Sequence, residues 1–224
     1  MKMNIKLVHI LTEIDTEREK ESIKSLLPLG QLGINYIQQI NKRYSGEDWK
    51  KIPAATQSPF TNHGPGHYGA FQSFKKAILD NFSDDLDALV LCECDCVLVC
   101  TPEDFVQSLK KGLDFVEKKE AYYLSLGSRY VNGHLQSPYI EFDQEDPDFY
   151  ITNKIILAHC VVIPRKSREI ILEALEKVSW DSPDIWFNEA FWSSGYSRFA
   201  IIKERLAVQH EGFSLIDNVW KESQ

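Results

Sequence analysis

The stretch LVLCECDCVLVC, from Leu89 to Cys100, decides how this chain is read. Its apolar residues are introduced by Asp87-Ala88 and closed by Thr101-Pro102, which gives the length and composition of a buried β-strand. Four cysteines and two acids are set into it. Side chains alternate between the faces of a strand, so Cys92, Cys94, Cys96, Leu98 and Cys100 share one face, and Glu93, Asp95, Val97 and Val99 the other. Residues at i, i+2 and i+4 of a straight strand spread over about 13 Å. They cannot converge on one zinc ion, which takes four donors around a tetrahedron. The cysteines are therefore read as small buried apolar side chains. The acids need a different account, because a buried carboxylate is costly unless it is paired or bound to a metal. Two carboxylates one residue apart at a strand end suit a hard divalent cation that also holds a phosphate. The alternative is an acid pair solvated where the strand leaves the sheet.

The rest of the composition bounds the answer. With 224 residues, 43% hydrophobic and 26% charged, the chain can bury a core without metal or disulfide staples, and it reads as a single domain over 1–224. A net charge of -8 weighs against non-specific nucleic-acid binding, which depends on Lys and Arg neutralising phosphates. The five cysteines are odd in number and four lie within nine residues, so no disulfide framework is expected and a reducing, cytoplasmic setting fits. No run of about 18 apolar residues suggests a transmembrane helix. The opening MKMNIKLVHIL reads as a first strand rather than a signal peptide.

Strands and helices alternate along the first half. KLVHILTEI (Lys6 to Ile14) is the opening strand, and EREKESIKSLLPL a charged helix preceded by Asp15 and Thr16 and ended by Pro28 and Gly30. GINYIQQI (Gly33 to Ile40) is a second strand. The polar segment 41–65 is the longest candidate loop, of the kind that is often functional. A helix from about Gly66 to Phe82 has Phe71, Phe74, Ile78 and Phe82 as its apolar stripe. The cysteine strand follows, then a helix with Thr101 as N-cap and Pro102 at its first position. AYYLSLGS and KIILAHCVVIP read as strands, REIILEALEKV as a helix and SPDIWFNEAFW as a short helix capped by Ser182. FAIIKERLAVQ is a late strand. This order predicts an α/β/α sandwich around a mostly parallel central sheet, with ligands at the edge where strands end, near Thr12, Asp95 and His210.

Glu93-Cys94-Asp95, after a hydrophobic strand, resembles the acidic Asp-x-Asp motif of nucleotide-sugar-dependent glycosyltransferases with the GT-A fold, with Glu in place of the first Asp. VHILTEI is similar to the first strand of that fold, GPGHYGAFQSFKKAI (Gly64 to Ile78) to a Gly-rich loop and helix ahead of the acidic strand, and SWDSPDIWFNEAFW (Ser179 to Trp192) to its acceptor-side segment. The resemblance spans Lys6 to about Asp217, with a donor-nucleotide half over about 1–100 and an acceptor half over about 101–224. It implies a transferase that passes a sugar from a UDP-linked or similar donor to an acceptor hydroxyl. It implies Mn2+ or Mg2+ on Asp95, Glu93 and His210, with Thr12, Glu13, His67, Gly69, Glu93 and Asp95 on the donor. Asp184 or Glu189 would act toward the acceptor as general base, beside the aromatic face of Trp186. His159 and His9, each inside a strand, are read as core histidines.

Two other readings stay open. A sugar nucleotidyltransferase would share the fold, but LTEIDTEREK lacks the glycines expected after its first strand. A non-enzymatic α/β binding module would make the acid pair structural. The acceptor is equally open between a glycan, a lipid-linked sugar, a protein and a modified base in DNA.

Overall fold

Strand β1 (Ile5–Thr12) alternates its side chains between two cores. Ile5 and Leu7 belong to one cluster, Val8 and Ile10 to the other. The same division runs through β3 (Ala88–Cys92): Ala88, Val90 and Cys92 face one cluster, Leu89 and Leu91 the other. A sheet apolar on both faces must be covered on both, and the helices supply that cover. The structure is a computed structural model and describes residues 3–12, 16–51, 64–127, 140–141, 146–154, 159–210, 212–214 and 219–221.

After β1 come α1 (Glu17–Leu26), a 3-10 turn over Leu27–Leu32, β2 (Asn35–Asn41), α2 (Gly46–Lys50) and α3 (Pro65–Asn81). Then β3 is followed by β4 (Cys96–Leu98), α4 (Pro102–Lys118), β5 (Leu124–Ser125), β6 (Ile140–Glu141), β7 (Phe149–Thr152) and β8 (Cys160–Pro164). The remaining elements are α5 (Arg168–Lys177), α6 (Pro183–Ser193), β9 (Phe199–Ile202), β10 (Ala207–Gln209), β11 (Gly212–Ser214) and β12 (Val219–Lys221).

The central sheet has eight strands in the order β2-β1-β3-β8-β5-β9-β7-β6. Six run one way; β8 and β7 run against their neighbours. The fold is thus an α/β sandwich with a mostly parallel sheet. On one face α4 packs Phe105, Leu109 and Phe115 with the 3-10 turn's Leu29. On the other, α3, α5 and α6 pack Phe74, Ile171 and Phe187. Each such side chain removed from water contributes roughly 1.5–3 kcal/mol before entropy is counted.

The expected helices form where caps and apolar spacing place them. Thr16 caps α1 in a capping box with Glu19, and Thr101 accepts from the Asp104 N–H at the start of α4. The strands differ more. The single strand expected through Leu89–Val99 is two: β3 ends at Cys92, residues 93–95 turn with Cys96 N–H donating to Glu93 O at 3.0 Å, and β4 leaves the main sheet to pair with β10. The late strand expected over Phe199–Gln209 splits in the same way into β9 and β10, because β10 follows β4 out of the sheet. Pro28 and Gly30 do not stop the first helix outright but lie in the 3-10 turn, which closes at Gly33 with φ 89°. Strand β7 lies in a stretch for which the sequence suggested no strand. Among the described residues, no helix is long and apolar enough to cross a membrane.

Candidate functional site

The turn at 93–95 projects two carboxylates from the C-terminal end of β3. Strand β8 is antiparallel to β3, with Cys92 opposite Cys160, so the residue just before β8 arrives at that same end. That residue is His159. Its carbonyl accepts from Glu93 N–H at 3.0 Å, and its Nδ1 lies 2.7 Å from Glu93 Oε2. One donor atom each from Glu93, Asp95 and His159 lies within 4.8 Å of the others. The reading of His159 as a core histidine is corrected to this extent: it is buried, but buried beside the acid pair.

Asp95 is 4% exposed. Its Oδ2 is ion-paired with Arg18 and accepts from Gln209 Nε2 at 2.8 Å. Its carbonyl accepts from His210 N–H at 2.7 Å. Asp95 Oδ1 and His159 Nε2 are both buried without a hydrogen-bond partner among the described residues. Such atoms are costly to leave unpaired. A set of two carboxylates and an imidazole with two idle atoms fits a divalent cation of the Mn2+ or Mg2+ kind. With Nδ1–H donated to Glu93, Nε2 keeps the lone pair that a metal needs.

Arg18 is held in place by the start of α1. Glu19 closes the capping box and also accepts Thr12 N–H at 2.6 Å, tying the end of β1 to the helix. A cavity of about 790 Å3 opens here. Thr12, Arg18, Lys42, Arg43, Glu93 and Asp95 line it, together with Gly64, Pro65, Gly66, His67 and Gly69 from the start of α3. Gly69 leaves room for an aromatic wall, since a Cβ there would stand 3.2 Å from Tyr44 Cδ2. An acidic group and three basic side chains thus share one cavity in a chain whose net charge is -8.

Behind the cavity lies a buried polar chain. Ser22 Oγ donates to Cys96 O at 2.5 Å, so it must accept from His9 Nε2–H at 2.8 Å, and Nδ1 accepts from Tyr36 Oη at 2.9 Å. Burial lowers the His9 pKa from 6.5 to about 4, so the ring stays neutral. Burial also pushes the Cys94 thiol up to about 12, with the Glu93 charge adding to it; this thiol is no nucleophile.

The structure brings Thr12, His67, Gly69, Glu93 and Asp95 to one cavity and ties His210 to Asp95 through the backbone. Glu13 lies outside the described residues. It does not bring the residues of α6 there. Asp184 sits in the first turn of α6, where its Oδ1 accepts from Ser182 Oγ at 2.8 Å, and Glu189 is exposed. Trp186 is 1% exposed, its ring packed against Phe71 and Phe187 at centroid distances of 5.5 and 5.3 Å. Sequence reasoning missed Arg18, Lys42, Arg43, Gln209 and the placement of His159. A polar residue opening the apolar run HCVVI was the available signal for His159, but only the reversed direction of β8 gives it meaning.

No protein-family model matches the chain, and no curated protein matches it. Several solved structures are similar in part. One is described as A197 from STIV, at 14% identity and a TM-score of 0.46 over 97% of this chain and 93% of that one. Another is a glycosyltransferase involved in the glycosylation of the major capsid of PBCV-1, at 9% identity and 0.47 over 89% and 82%. A third is an apo UDP-glucose pyrophosphorylase, at 12% identity and 0.45 over 92% and 93%.

Proposed function

We propose that the chain is a metal-dependent glycosyltransferase that takes a nucleotide-sugar, with a UDP-sugar as the first candidate donor, and passes the sugar to an acceptor hydroxyl. The observation that carries the reading is the shared cavity: Glu93 and Asp95, which with His159 beside them form a group that a cation fits, line the same space as Arg18, Lys42 and Arg43. A diphosphate bridging a cation and basic side chains matches both halves of that charge pattern. Glu93, Asp95 and His159 would hold Mn2+ or Mg2+, with His210 next to Asp95 as a further donor. Bound there, the ion would supply Lewis-acid stabilisation of charge on the departing diphosphate.

The chain's own groups do the rest. Arg18, Lys42 and Arg43 bind phosphate oxygens, and the N-terminal turn of α3, capped by Gly64 without a side-chain hydrogen bond, offers backbone N–H groups to an anion. Thr12 at the end of β1 lies on the nucleoside side, and His67 and Gly69 border the donor. The base toward an acceptor hydroxyl would be Asp184 on α6, with Glu189 on the same helix as the second choice, although neither lines this cavity in the structure. The acceptor is a glycan, a lipid-linked sugar, a protein or a modified base.

The test is a melting-point titration with Mn2+ and UDP, followed by donor hydrolysis across UDP- and GDP-sugars. A ligand that binds only the native state raises the melting point by mass action. The expected result is a shift that needs metal and nucleotide together, and hydrolysis abolished by Asp95→Ala. No shift with any nucleotide and metal would overturn the reading.

A further inference from the structure

The break after Cys92 removes the geometric objection to a thiolate site. On a straight strand Cys92 and Cys96 would stand about 13 Å apart. The turn at 93–95 instead folds Cys96 back, and Cys160 stands opposite Cys92 on the antiparallel neighbour. The three sulfurs lie within 4.8 Å of one another, with Cys92 Sγ and Cys160 Sγ 3.6 Å apart. All three residues are 0% exposed, and all three are free thiols. Three sulfurs bound at about 2.3 Å around one ion would stand roughly 4 Å apart, close to the spacing already present.

We propose that Cys92, Cys96 and Cys160 form a second metal centre, a trithiolate site for a single thiophilic d10 cation such as Zn2+ or Cu+. Soft thiolates select such ions, whereas a hard cation needs oxygen donors of the kind Glu93 and Asp95 offer. Binding converts three S–H groups into three metal–sulfur bonds and releases their protons to solvent, with no change of oxidation state. Zn2+ then leaves one net negative charge in the core and Cu+ two, so burial favours the divalent ion. The centre would join β3, β4 and β8 directly behind the turn that presents Glu93 and Asp95. Its role is to fix that turn, and it stands independently of any nucleotide-sugar chemistry.

The test uses the full chain, kept reduced with a phosphine and refolded with Zn2+, Cu+ or, as an optical probe, Cd2+. One equivalent of metal by native mass spectrometry, a thiolate-to-cadmium ultraviolet absorption and a higher melting point are expected. Cys92→Ala and Cys160→Ala should lose all three, while Cys100→Ser and Asp95→Ala keep them. Retention of either Zn2+ or Cu+ through gel filtration supports the centre and identifies its ion. A wild-type chain that retains neither and shows no cadmium absorption overturns it, as does Cys160→Ala binding as much metal as wild type. The wild-type measurement decides even where a variant fails to fold.

Discussion

Glu93 and His159 meet across two antiparallel strands through both backbone and side chain: Glu93 N–H donates to the His159 carbonyl at 3.0 Å, and His159 Nδ1 lies 2.7 Å from Glu93 Oε2. The carboxylate thereby orients the ring and leaves Nε2 as the idle nitrogen, buried without a hydrogen-bond partner among the described residues. Carboxylates that orient metal-binding histidines typically contribute 10–100-fold in affinity.

Metal binding should follow that geometry. His159→Ala and Asp95→Ala are expected to lose measurable Mn2+ binding, and Glu93→Gln to weaken it by about 10–100-fold. Electron paramagnetic resonance of free Mn2+ during titration measures this directly. In a donor-hydrolysis assay Asp95→Ala and His210→Ala should lose most Mn2+-dependent turnover while circular dichroism stays unchanged. Full activity in Asp95→Ala would remove Asp95 from the metal site.

Arg18 is a cationic partner of Asp95. A divalent ion must compete with that guanidinium for the same carboxylate. Arg18→Gln should therefore bind Mn2+ more tightly without nucleotide, by a factor of about ten if the competition is worth ~1.4 kcal/mol. It should bind the donor nucleotide more weakly, because a phosphate-facing charge is gone. Isothermal titration with each ligand separates the two effects, and equal Mn2+ affinity in both proteins would refute the competition.

His9 makes stability depend on pH. Its pKa in the folded chain, lowered to about 4 by burial, lies below the ordinary 6.5 of an unfolded chain. Between those values the unfolded state binds a proton that the folded state refuses, so stability is full above pH 6.5 and falls as pH drops toward 4. The loss attributable to this ring is on the order of 3 kcal/mol. Urea melts from pH 7 to 4.5 on wild type and on His9→Gln should show a shallower slope for the variant. The variant should be weaker at pH 7, since Ser22 and Tyr36 lose their fitted partner.

Gly112 lies where α4 presses on the sheet. An added Cβ would stand 2.6 Å from Leu124 Cδ2 and 3.2 Å from Phe149 Cε1. Ala favours a helix over Gly by about 1 kcal/mol, but overpacking a filled core costs roughly 1–3 kcal/mol. Gly112→Ala is expected to lower stability by about 1 kcal/mol net, read as a lower denaturation midpoint with unchanged slope.

The fold was legible where local signals are strong. Thr16 and Thr101 announce their helices, and the apolar runs at 88–92 and 160–164 are strands. The acid pair could be singled out because carboxylates after a buried apolar run demand partners. Its partners could not. Arg18, His159 and Gln209 are scattered along the chain, and their meeting depends on the direction of β8 and on β4 pairing with β10, which alternation of side chains does not encode. The same limit hid the approach of Cys96 to Cys92 and Cys160, which are buried in the core as expected, because period-two patterning shows where a strand runs but not where it bends.

Asp95 takes one partner, Arg18, from the beginning of the chain and another, Gln209, from near its end. The two contacts are separated by most of the sequence, so the surroundings of this one carboxylate are complete only when β10 is docked on β4 and α1 is seated at the end of β1. A loss of packing at either place would reach Asp95 without touching it.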